Sequence, residues 1–254
     1  MKHEHTIDAA MRLLDDQASE WGIGLGPEQL GLLRQYADSL ANYTAANVIG
    51  TREPQRIVLD HILDSLSCLT LGGEQWQGNL LDVGSGGGLP GIPLAVAQAE
   101  LSVTLLESIE KKVVFLQKVR DDLSLTNLTI HSGRAEEAGR KRTFRDAYDV
   151  AVSRALAALP VVVEYCAPFV QEGGWVLAMK GRLEQDELIA GEKAARKLQA
   201  ELHEVTQVRL MPELEQKHRQ IVVFRKTGPT PTGYPRRIGL AKKRPLGTQT
   251  RGEP

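Results

Sequence analysis

The residues best suited to chemistry in this 254-residue chain form a glycine-rich turn at positions 84–91. The surrounding segment, 80–93, reads LLDVGSGGGLPGIP, which is an apolar strand, a glycine turn and a helix start. In an open α/β sheet, the first turn from strand to helix is where a nucleotide-like ligand meets the backbone. Glycine suits such a turn because a Cβ atom would block the ligand and disfavour positive φ angles. The segment therefore indicates a binding site, although ordinary tight turns use glycine too.

An acidic residue, Glu107, stands 23 residues after Gly84, at the end of the next predicted strand. A carboxylate at this place can accept hydrogen bonds from both hydroxyls of a ribose. A dinucleotide fold would prefer G-x-G-x-x-G, but the sixth position is Leu89, and the last glycine before it, Gly88, comes one position too early. The pattern favours a different adenosine ligand, and it disfavours a nicotinamide-dependent reductase. A surface acid that ends a strand, paired with nearby lysines, is the alternative interpretation of Glu107.

Short apolar runs alternate with helical patterns from residue 79 onward. This alternation predicts an α/β fold, with a mostly parallel sheet of about seven strands and helices on both faces. The predicted strands are 80–83, 103–106, 128–130, 150–152, 175–179, 205–210 and 221–224. The last two lie close together around a charged loop, so they are expected to pair antiparallel.

The chain divides into three predicted regions. Apolar residues at helical spacing predict helices at 7–21, 27–43 and 55–71, so residues 1–72 are interpreted as an N-terminal helical cap. Residues 73–226 carry the alternation of strand and helix. Residues 227–254 are rich in Pro, Gly, Lys and Arg and are expected to form an extended basic tail without a core of its own.

Charge is divided unevenly along the chain, although the formal net charge is only -1. Eight of the 31 Lys and Arg residues lie between Arg225 and Arg251, and the last 30 residues contain one acid, Glu253. The first 224 residues hold the other 23 basic and 31 acidic side chains. Clustered cations gain affinity for a polyanion by displacing counterions from its phosphates. A nucleic acid partner and a merely solvated, partly disordered end both fit this pattern.

Several classes of protein are disfavoured by composition. Only Cys68 and Cys166 are present, too few for a disulfide framework, and no metal-type spacing joins them to the six His residues. The first 16 residues carry acids where a secretory signal would need a continuous apolar core. No run approaches the roughly 18 apolar residues of a membrane-spanning helix. We therefore expect a cytoplasmic protein that uses no metal ion.

Motifs along most of the chain point to one family. They are DHILDSL at 60–66, DVGSG through LPGIPL at 82–94, LES at 106–108, RAE at 134–136, SRA at 153–155, KG at 180–181 and YPRR at 234–237. Together they resemble the bacterial 16S ribosomal RNA guanine-N7 methyltransferases, also called RsmG or glucose-inhibited division protein B. Two departures are NVIGT at 47–51, where Asn-Leu-Thr is usual, and Gly87-Gly88, where Ala-Gly or Pro-Gly is common.

The resemblance implies a class I S-adenosylmethionine-dependent methyltransferase with a Rossmann-like sheet. It implies that the cofactor, S-adenosylmethionine, is bound by Gly84, Gly86, Leu89, Glu107, Ala135, Glu136 and Arg154. Arg154 and Lys180 would lie near the substrate side, although Arg154 could instead be a capping or carboxylate-pairing residue. His61 and Asp64 could contact substrate or brace the cap on the sheet. No general base is expected, because guanine N7 presents a lone pair and no proton to remove.

The partner implied by the resemblance is 16S ribosomal RNA or the small ribosomal subunit, with the protein acting as a monomer. RNA contacts are expected from Arg134, Arg236, Arg237, Lys242, Lys243 and Arg244. A methyltransferase acting on a small molecule or a protein is one alternative. The other is a non-catalytic RNA-binding assembly factor that keeps the fold without turnover.

Overall fold

The computed structural model describes residues 2–71, 76–211 and 218–248, with side chains from Thr6 onward. The strands are β1 Gly78–Val83, β2 Leu101–Glu107, β3 Leu128–Ser132, β4 Tyr148–Arg154, β5 Val170–Lys180, β6 Ala200–Gln207 and β7 Gln220–Lys226. The α-helices are α1 Lys2–Glu20, α2 Pro27–Asn42, α3 Pro54–Arg56, α4 Asp64–Leu66, α5 Gly91–Ala97, α6 Glu110–Asp122, α7 Ala135–Ala138, α8 Leu159–Cys166, α9 Gln185–Lys197 and α10 Leu240–Lys243.

The strands form one seven-stranded sheet in the order β3-β2-β1-β4-β5-β7-β6. Strands β1 to β5 pair in parallel, whereas β7 is antiparallel to both β5 and β6. The predicted α/β fold and the antiparallel pairing of the last two strands are confirmed. The bounds 205–210 for the sixth strand were wrong. A register shift between Leu202 and Glu204 interrupts its alternation, so its first half carries no regular sequence pattern.

Alternate strand residues face two apolar layers, one on each side of the sheet. Neighbours Leu80 and Leu81 are both fully buried, but they belong to different core clusters. Helices α1, α2, α5 and α6 cover the first face, and α8 and α9 cover the second. Helices on both faces were predicted for a mostly parallel sheet, because such strands bury both of their sides.

Residues 54–71 form one continuous helical stretch, which we call the composite helix. In it, α3 leads into a π-helix at Ile57–Leu63, and α4 leads into a 3₁₀ turn at Ser67–Leu71. The helix predicted at 55–71 is therefore present. Its π-helical segment was not foreseen, and such segments are rare and frequently occur at functional sites. This π-helical segment contains His61, and Asp64 is the first residue after the segment.

The C-terminal segment, residues 227–248, packs against the second face of the sheet. Ala241 and Leu246 are buried there and join the second apolar layer. Arg145 donates hydrogen bonds to three backbone carbonyls of the segment, those of Thr230, Pro231 and Tyr234. The segment thus packs its apolar side chains into the core of the sheet. Residues 249–254 of the predicted tail lie outside the described residues. The division into cap, sheet domain and tail stays a prediction.

Candidate functional site

The glycine turn leaves β1 with a backbone that only glycine adopts readily. Gly84, Gly86 and Gly88 have φ angles of 74°, 60° and 96°. An added Cβ on Gly86 would find nothing nearer than the Gly84 carbonyl oxygen, at 4.0 Å. The backbone at Gly86 is therefore open to close approach by another group.

The carboxylate of Glu107 faces this turn from the end of the neighbouring strand β2. Its Oε2 accepts a hydrogen bond from the Gly86 N–H at 2.9 Å. Its Oε1 accepts from the N–H groups of Ser108 and Ile109, at 2.7 and 2.8 Å. Three backbone donors thus fix a buried carboxylate beside the turn, and carboxylate oxygens together offer about four acceptor sites. Acceptor capacity remains for hydroxyl groups such as those of a ribose.

A cavity of about 520 Å³ opens at the carboxyl ends of β1 and β2, and we call it the glycine-turn cavity. Three predicted cofactor residues line it, namely Gly84, Ala135 and Glu136, and so do two predicted RNA-binding residues, Arg134 and Lys242. It lies where the chain order reverses, since β1 pairs with β2 on one side and with β4 on the other. In open α/β sheets, ligands bind in the crevice at this position.

Glu136 joins three parts of the cavity wall. Its Oε1 accepts hydrogen bonds from the Tyr165 hydroxyl and from the Gly239 N–H, both at 3.0 Å. Burial raises the pKa of Tyr165, and the negative charge of Glu136 raises it further. The phenol therefore stays protonated and remains a donor. Glu136 thus holds α8 and the C-terminal segment together at the cavity.

Leu89 is one of four predicted cofactor residues that do not line the glycine-turn cavity, and the others are Gly86, Glu107 and Arg154. The side chain of Leu89 is buried in the first apolar layer. Its hydrogen-bonded neighbour is Ser85, whose carbonyl accepts from the Leu89 N–H at 3.0 Å. Contact between Leu89 and a cofactor stays a prediction. Its observed contribution is to pack the turn onto the core.

Two supports of the glycine turn were missed by sequence reasoning. The Tyr36 hydroxyl donates to the Gly87 carbonyl at 2.6 Å, and burial raises the pKa of this phenol. A Cβ on Gly87 would come within 2.8 Å of the Val48 carbonyl oxygen. Residues of the N-terminal helical region therefore contact the glycine turn directly. Val48 contacts Gly87 through its backbone carbonyl. The departure from the usual family sequence at 47–51 therefore does not remove this contact.

A third missed residue is Asp82, a fully buried acid in the middle of the apolar β1. Its Oδ2 accepts from the Gly91 N–H at 2.9 Å and so ties the start of α5 to the strand. Its Oδ1 has no partner among the described residues. Burial raises the pKa of Asp82 to about 7, against the opposing effects of the Gly91 hydrogen bond and Arg154. The signal in the sequence was an acid within an apolar run.

A second cavity, of about 640 Å³, lies at the carboxyl ends of β4 and β5, and we call it the arginine cavity. It is lined by Arg154 and Lys180 from the sheet, His61 and Asp64 from the composite helix, and Arg219. The Asp64 carboxylate is held between two guanidinium groups. Its Oδ2 lies 3.0 Å from Arg154 Nη1, and its Oδ1 lies 2.6 Å from Arg219 Nε. Arg154 Nη1 is also 3.3 Å from His61 Nδ1.

The linings of the two cavities follow each other along the chain at residues 154–156, at the end of β4. Arg154 and Ala155 line the arginine cavity, whereas Leu156 lines the glycine-turn cavity. Ala155 has a φ of 53°, a conformation that is unfavourable for residues with a side chain and that clusters at functional sites. Lys180 braces the connection, because its Nζ lies 3.1 Å from the Ala157 carbonyl oxygen and 2.7 Å from Glu187 Oε1.

The predicted RNA-binding residues differ in how they are placed. Arg134, Arg237, Lys242, Lys243 and Arg244 have exposed side chains. Arg236 turns inward and forms an ion pair with Glu164, a residue that is 1% exposed on α8. Hydrogen bonding to Glu164 raises the pKa of Arg236, and its guanidinium is engaged within the protein. An RNA contact by Arg236 stays a prediction.

No helix in the described ranges is long and apolar enough to span a bilayer. Within the same ranges, no three His, Cys, Asp or Glu side chains cluster as ligands for a metal ion.

Comparison with known proteins identifies the family. The family model "GidB: rRNA small subunit methyltransferase G" matches residues 29–222. The chain is 45% identical over 243 residues to "Ribosomal RNA small subunit methyltransferase G" of Rubrobacter xylanophilus, which covers 95% of this chain and 93% of that protein. It is 37% identical over 235 residues to the protein of the same name from Alkaliphilus metalliredigens, covering 92% and 98% of the two chains.

A solved structure supports the fold independently. A putative sarcosine dimethylglycine methyltransferase from Galdieria sulphuraria matches with a TM-score of 0.53 at 14% identity, over 78% of this chain and 98% of that one. At this identity the match shows the fold alone, and it confirms the class I methyltransferase architecture. The family model spans well over half of the chain, and the relatives span nearly all of it. The chain therefore belongs to the GidB family, rRNA small subunit methyltransferase G.

Proposed function

We propose that this protein transfers a methyl group from S-adenosylmethionine to N7 of a guanine in 16S ribosomal RNA. The carrying observation is the hydrogen bond between the Glu107 carboxylate and the open backbone of Gly86. Glu107 stands between Leu106 and Ser108, which both line the glycine-turn cavity. The substrate class follows from the relatives, whose name specifies ribosomal RNA of the small subunit.

The residues around the glycine-turn cavity fit S-adenosylmethionine. A Cβ is absent where the ligand would touch the turn, and Glu107 offers acceptors to the ribose hydroxyls. Ala135 and Glu136 line the cavity and would flank the adenine, whereas Arg154 lines the arginine cavity. When bound, S-adenosylmethionine supplies an electrophilic methyl group on a sulfonium sulfur.

The chain contributes orientation to the reaction and needs no general base. Guanine N7 is a lone-pair acceptor, so no proton has to leave before the methyl group arrives. Correct alignment of two reactants is worth a large part of a barrier, about 7–11 kcal/mol in favourable cases. Guanidinium groups suit guanine and phosphate because their donors form a rigid planar fork. Arg154 and Arg219, oriented by Asp64, would hold the target nucleotide in this way.

RNA would reach the site through a loop or an unstacked nucleotide. In A-form RNA, N7 lies in a deep and narrow groove that side chains cannot read. Exposed basic side chains beside the glycine-turn cavity would hold the flanking phosphates; these are Arg134, Arg237, Lys243 and Arg244. We expect a monomer to suffice, working in the cytoplasm where ribosomal RNA is made and assembled.

A methyl-transfer assay tests the proposal. Purified protein is incubated with S-adenosylmethionine labelled on its methyl group and with small subunits, free 16S RNA, protein and metabolite fractions. The expected result is label in 16S RNA that elutes as 7-methylguanine after digestion. Label in protein or metabolites alone would refute an RNA substrate. Absence of any heat when S-adenosylmethionine is titrated into the protein would instead support a non-catalytic assembly factor.

A further inference from the structure

The glycine-turn cavity has a wall that comes from outside the sheet. Gly239 and Lys242, in the C-terminal segment, line it together with Gly84 and Ala135. The sequence predicted an extended basic tail without a core of its own and assigned no cofactor contact to it. The packing instead brings two of its residues to the cavity.

Glu164 anchors this wall from within the protein. Glu164 Oε1 accepts from the backbone N–H of Arg236 at 3.0 Å and from its Nε at 2.8 Å, and Oε2 accepts from its Nη2 at 2.5 Å. Arg236 Nη2 also donates to the Arg244 carbonyl at 2.8 Å. One buried carboxylate thus holds Arg236, and through it both ends of the turn from 236 to 244. The hydrogen bond from Gly239 N–H to Glu136 fixes the middle of the turn.

The short helix α10 has an inner side and an outer side. Lys242 lines the cavity, although the residue as a whole is exposed. The adjacent Lys243 and Arg244 are exposed and are absent from the cavity lining. A lysine in this position can lay its aliphatic stem over an apolar ligand surface while its ammonium group stays in water.

We propose that the C-terminal segment completes the cofactor site and that Lys242 is a further cofactor-binding residue, its stem covering the adenine. The proposal rests on the proposed function for the identity of the cofactor. It assigns to the segment a role in binding a small molecule, in addition to the expected contacts with RNA. Ala135 and Glu136, beside which the adenine would lie, line the same cavity as Lys242.

Calorimetric titration with S-adenosylhomocysteine, which binds without turnover, tests the proposal on the full chain. Removal of the stem in Lys242→Ala should raise the dissociation constant about tenfold, as expected for loss of roughly 50–60 Å² of apolar contact. Lys242→Met keeps a long apolar side chain and should remain within about threefold of the unmodified protein. Lys197→Ala, an exposed lysine in the last turn of α9, is the matched control and should change nothing.

The outcomes separate this inference from the proposed function. If the unmodified protein binds S-adenosylhomocysteine and Lys242→Ala binds it equally well, the inference fails and the proposed function stands. If the unmodified protein binds neither S-adenosylhomocysteine nor S-adenosylmethionine, both fail. A second variant, Glu164→Gln, loosens the anchor and should also weaken binding. Unchanged affinity there, with a lowered melting temperature as proof that the anchor is disturbed, would likewise overturn the inference.

Discussion

Glu107→Gln is the change that most directly tests how the cofactor site is built. One carboxylate oxygen accepts two backbone hydrogen bonds, from Ser108 and Ile109, and the other accepts one, from Gly86. A glutamine has a single acceptor oxygen, so that oxygen is expected to take the place with two donors. Its amide NH₂ then faces the Gly86 N–H, and two donors oppose each other. The acceptor for a ribose hydroxyl on that side disappears together with the negative charge.

The expected loss of cofactor affinity follows from the hydrogen bonds removed. A hydrogen bond to a charged group contributes about 1.5–3 kcal/mol. Loss of one such bond to the ribose raises the dissociation constant by about 10-fold to 100-fold, because each 1.4 kcal/mol is a factor of ten. The orphaned Gly86 N–H also destabilises the fold, by about 1–3 kcal/mol if water does not replace the acceptor. Gly86 is only half-buried, so we expect the lower end of this range.

Calorimetric titration with S-adenosylhomocysteine measures the affinity, and urea unfolding measures the stability. Glu110→Gln is the matched control, since Glu110 is an exposed acid in the first turn of α6 that accepts only from the Ser132 hydroxyl among the contacts described. It should bind as the unmodified protein does. A dissociation constant for Glu107→Gln within twofold of the unmodified protein would show that this carboxylate does not bind the ribose.

Three further predictions concern the buried acid, the turn and the tail. Because the pKa of Asp82 is raised to about 7 from an unfolded value of about 3.9, the protein should lose stability as pH rises from about 4 to 7. Asp82→Asn should lack this part of the slope in urea unfolding, and equal slopes would contradict it. Gly91→Ala sets a Cβ against the Leu105 side chain and 2.9 Å from Asp82 Oδ2, so it should cost about 1–3 kcal/mol of stability, read as a lower melting temperature. Finally, Lys242 of the C-terminal segment lines the glycine-turn cavity, and its exposed neighbours Lys243 and Arg244 are expected to contact RNA. An RNA fragment that contains the target should therefore tighten S-adenosylhomocysteine binding, and by the same factor by which S-adenosylhomocysteine tightens RNA binding. Calorimetry that finds no change in either affinity would contradict coupling between the two ligands through this segment.

The parts of the site that sequence reasoning reached are those that depend on local pattern. Strands of a buried parallel sheet appear as apolar runs, so the carboxyl ends of β1 and β2 could be located. Glycines in a turn and an acid at a strand end follow from the same reasoning, and Gly86 and Glu107 are indeed hydrogen-bonded to each other. The edge strand β6 was misplaced because it faces solvent on one side and carries a register shift.

The parts that were missed depend on partners distant in the chain. Charge density in the tail suggested one uniform RNA-binding surface, yet Arg236 is committed to Glu164, on a helix 72 residues earlier. The sequence does indicate that Glu164 needs a partner. Glu164 lies in the apolar helix LPVVVEYC, and a buried acid requires a partner that offsets its desolvation. A pattern of charges cannot tell which of several arginines provides that partner, because the choice depends on how the chain returns to α8.

The same reasoning explains why the segments that close the two cavities were not predicted from composition. The sheet supplies only one side of each cavity. The composite helix closes the arginine cavity with Asp64, and the C-terminal segment closes the glycine-turn cavity with Gly239 and Lys242. From the sequence, these two closing elements were predicted to be a helical cap and a solvated tail. Composition indicates only the average preference of a whole segment for water. A binding wall needs only one or two residues turned inward, so its remaining residues can stay polar and exposed. The specificity of a shared methyltransferase sheet is therefore expected to reside in such appended segments, and swapping them between methyltransferases that act on different substrates should change substrate choice while the fold persists.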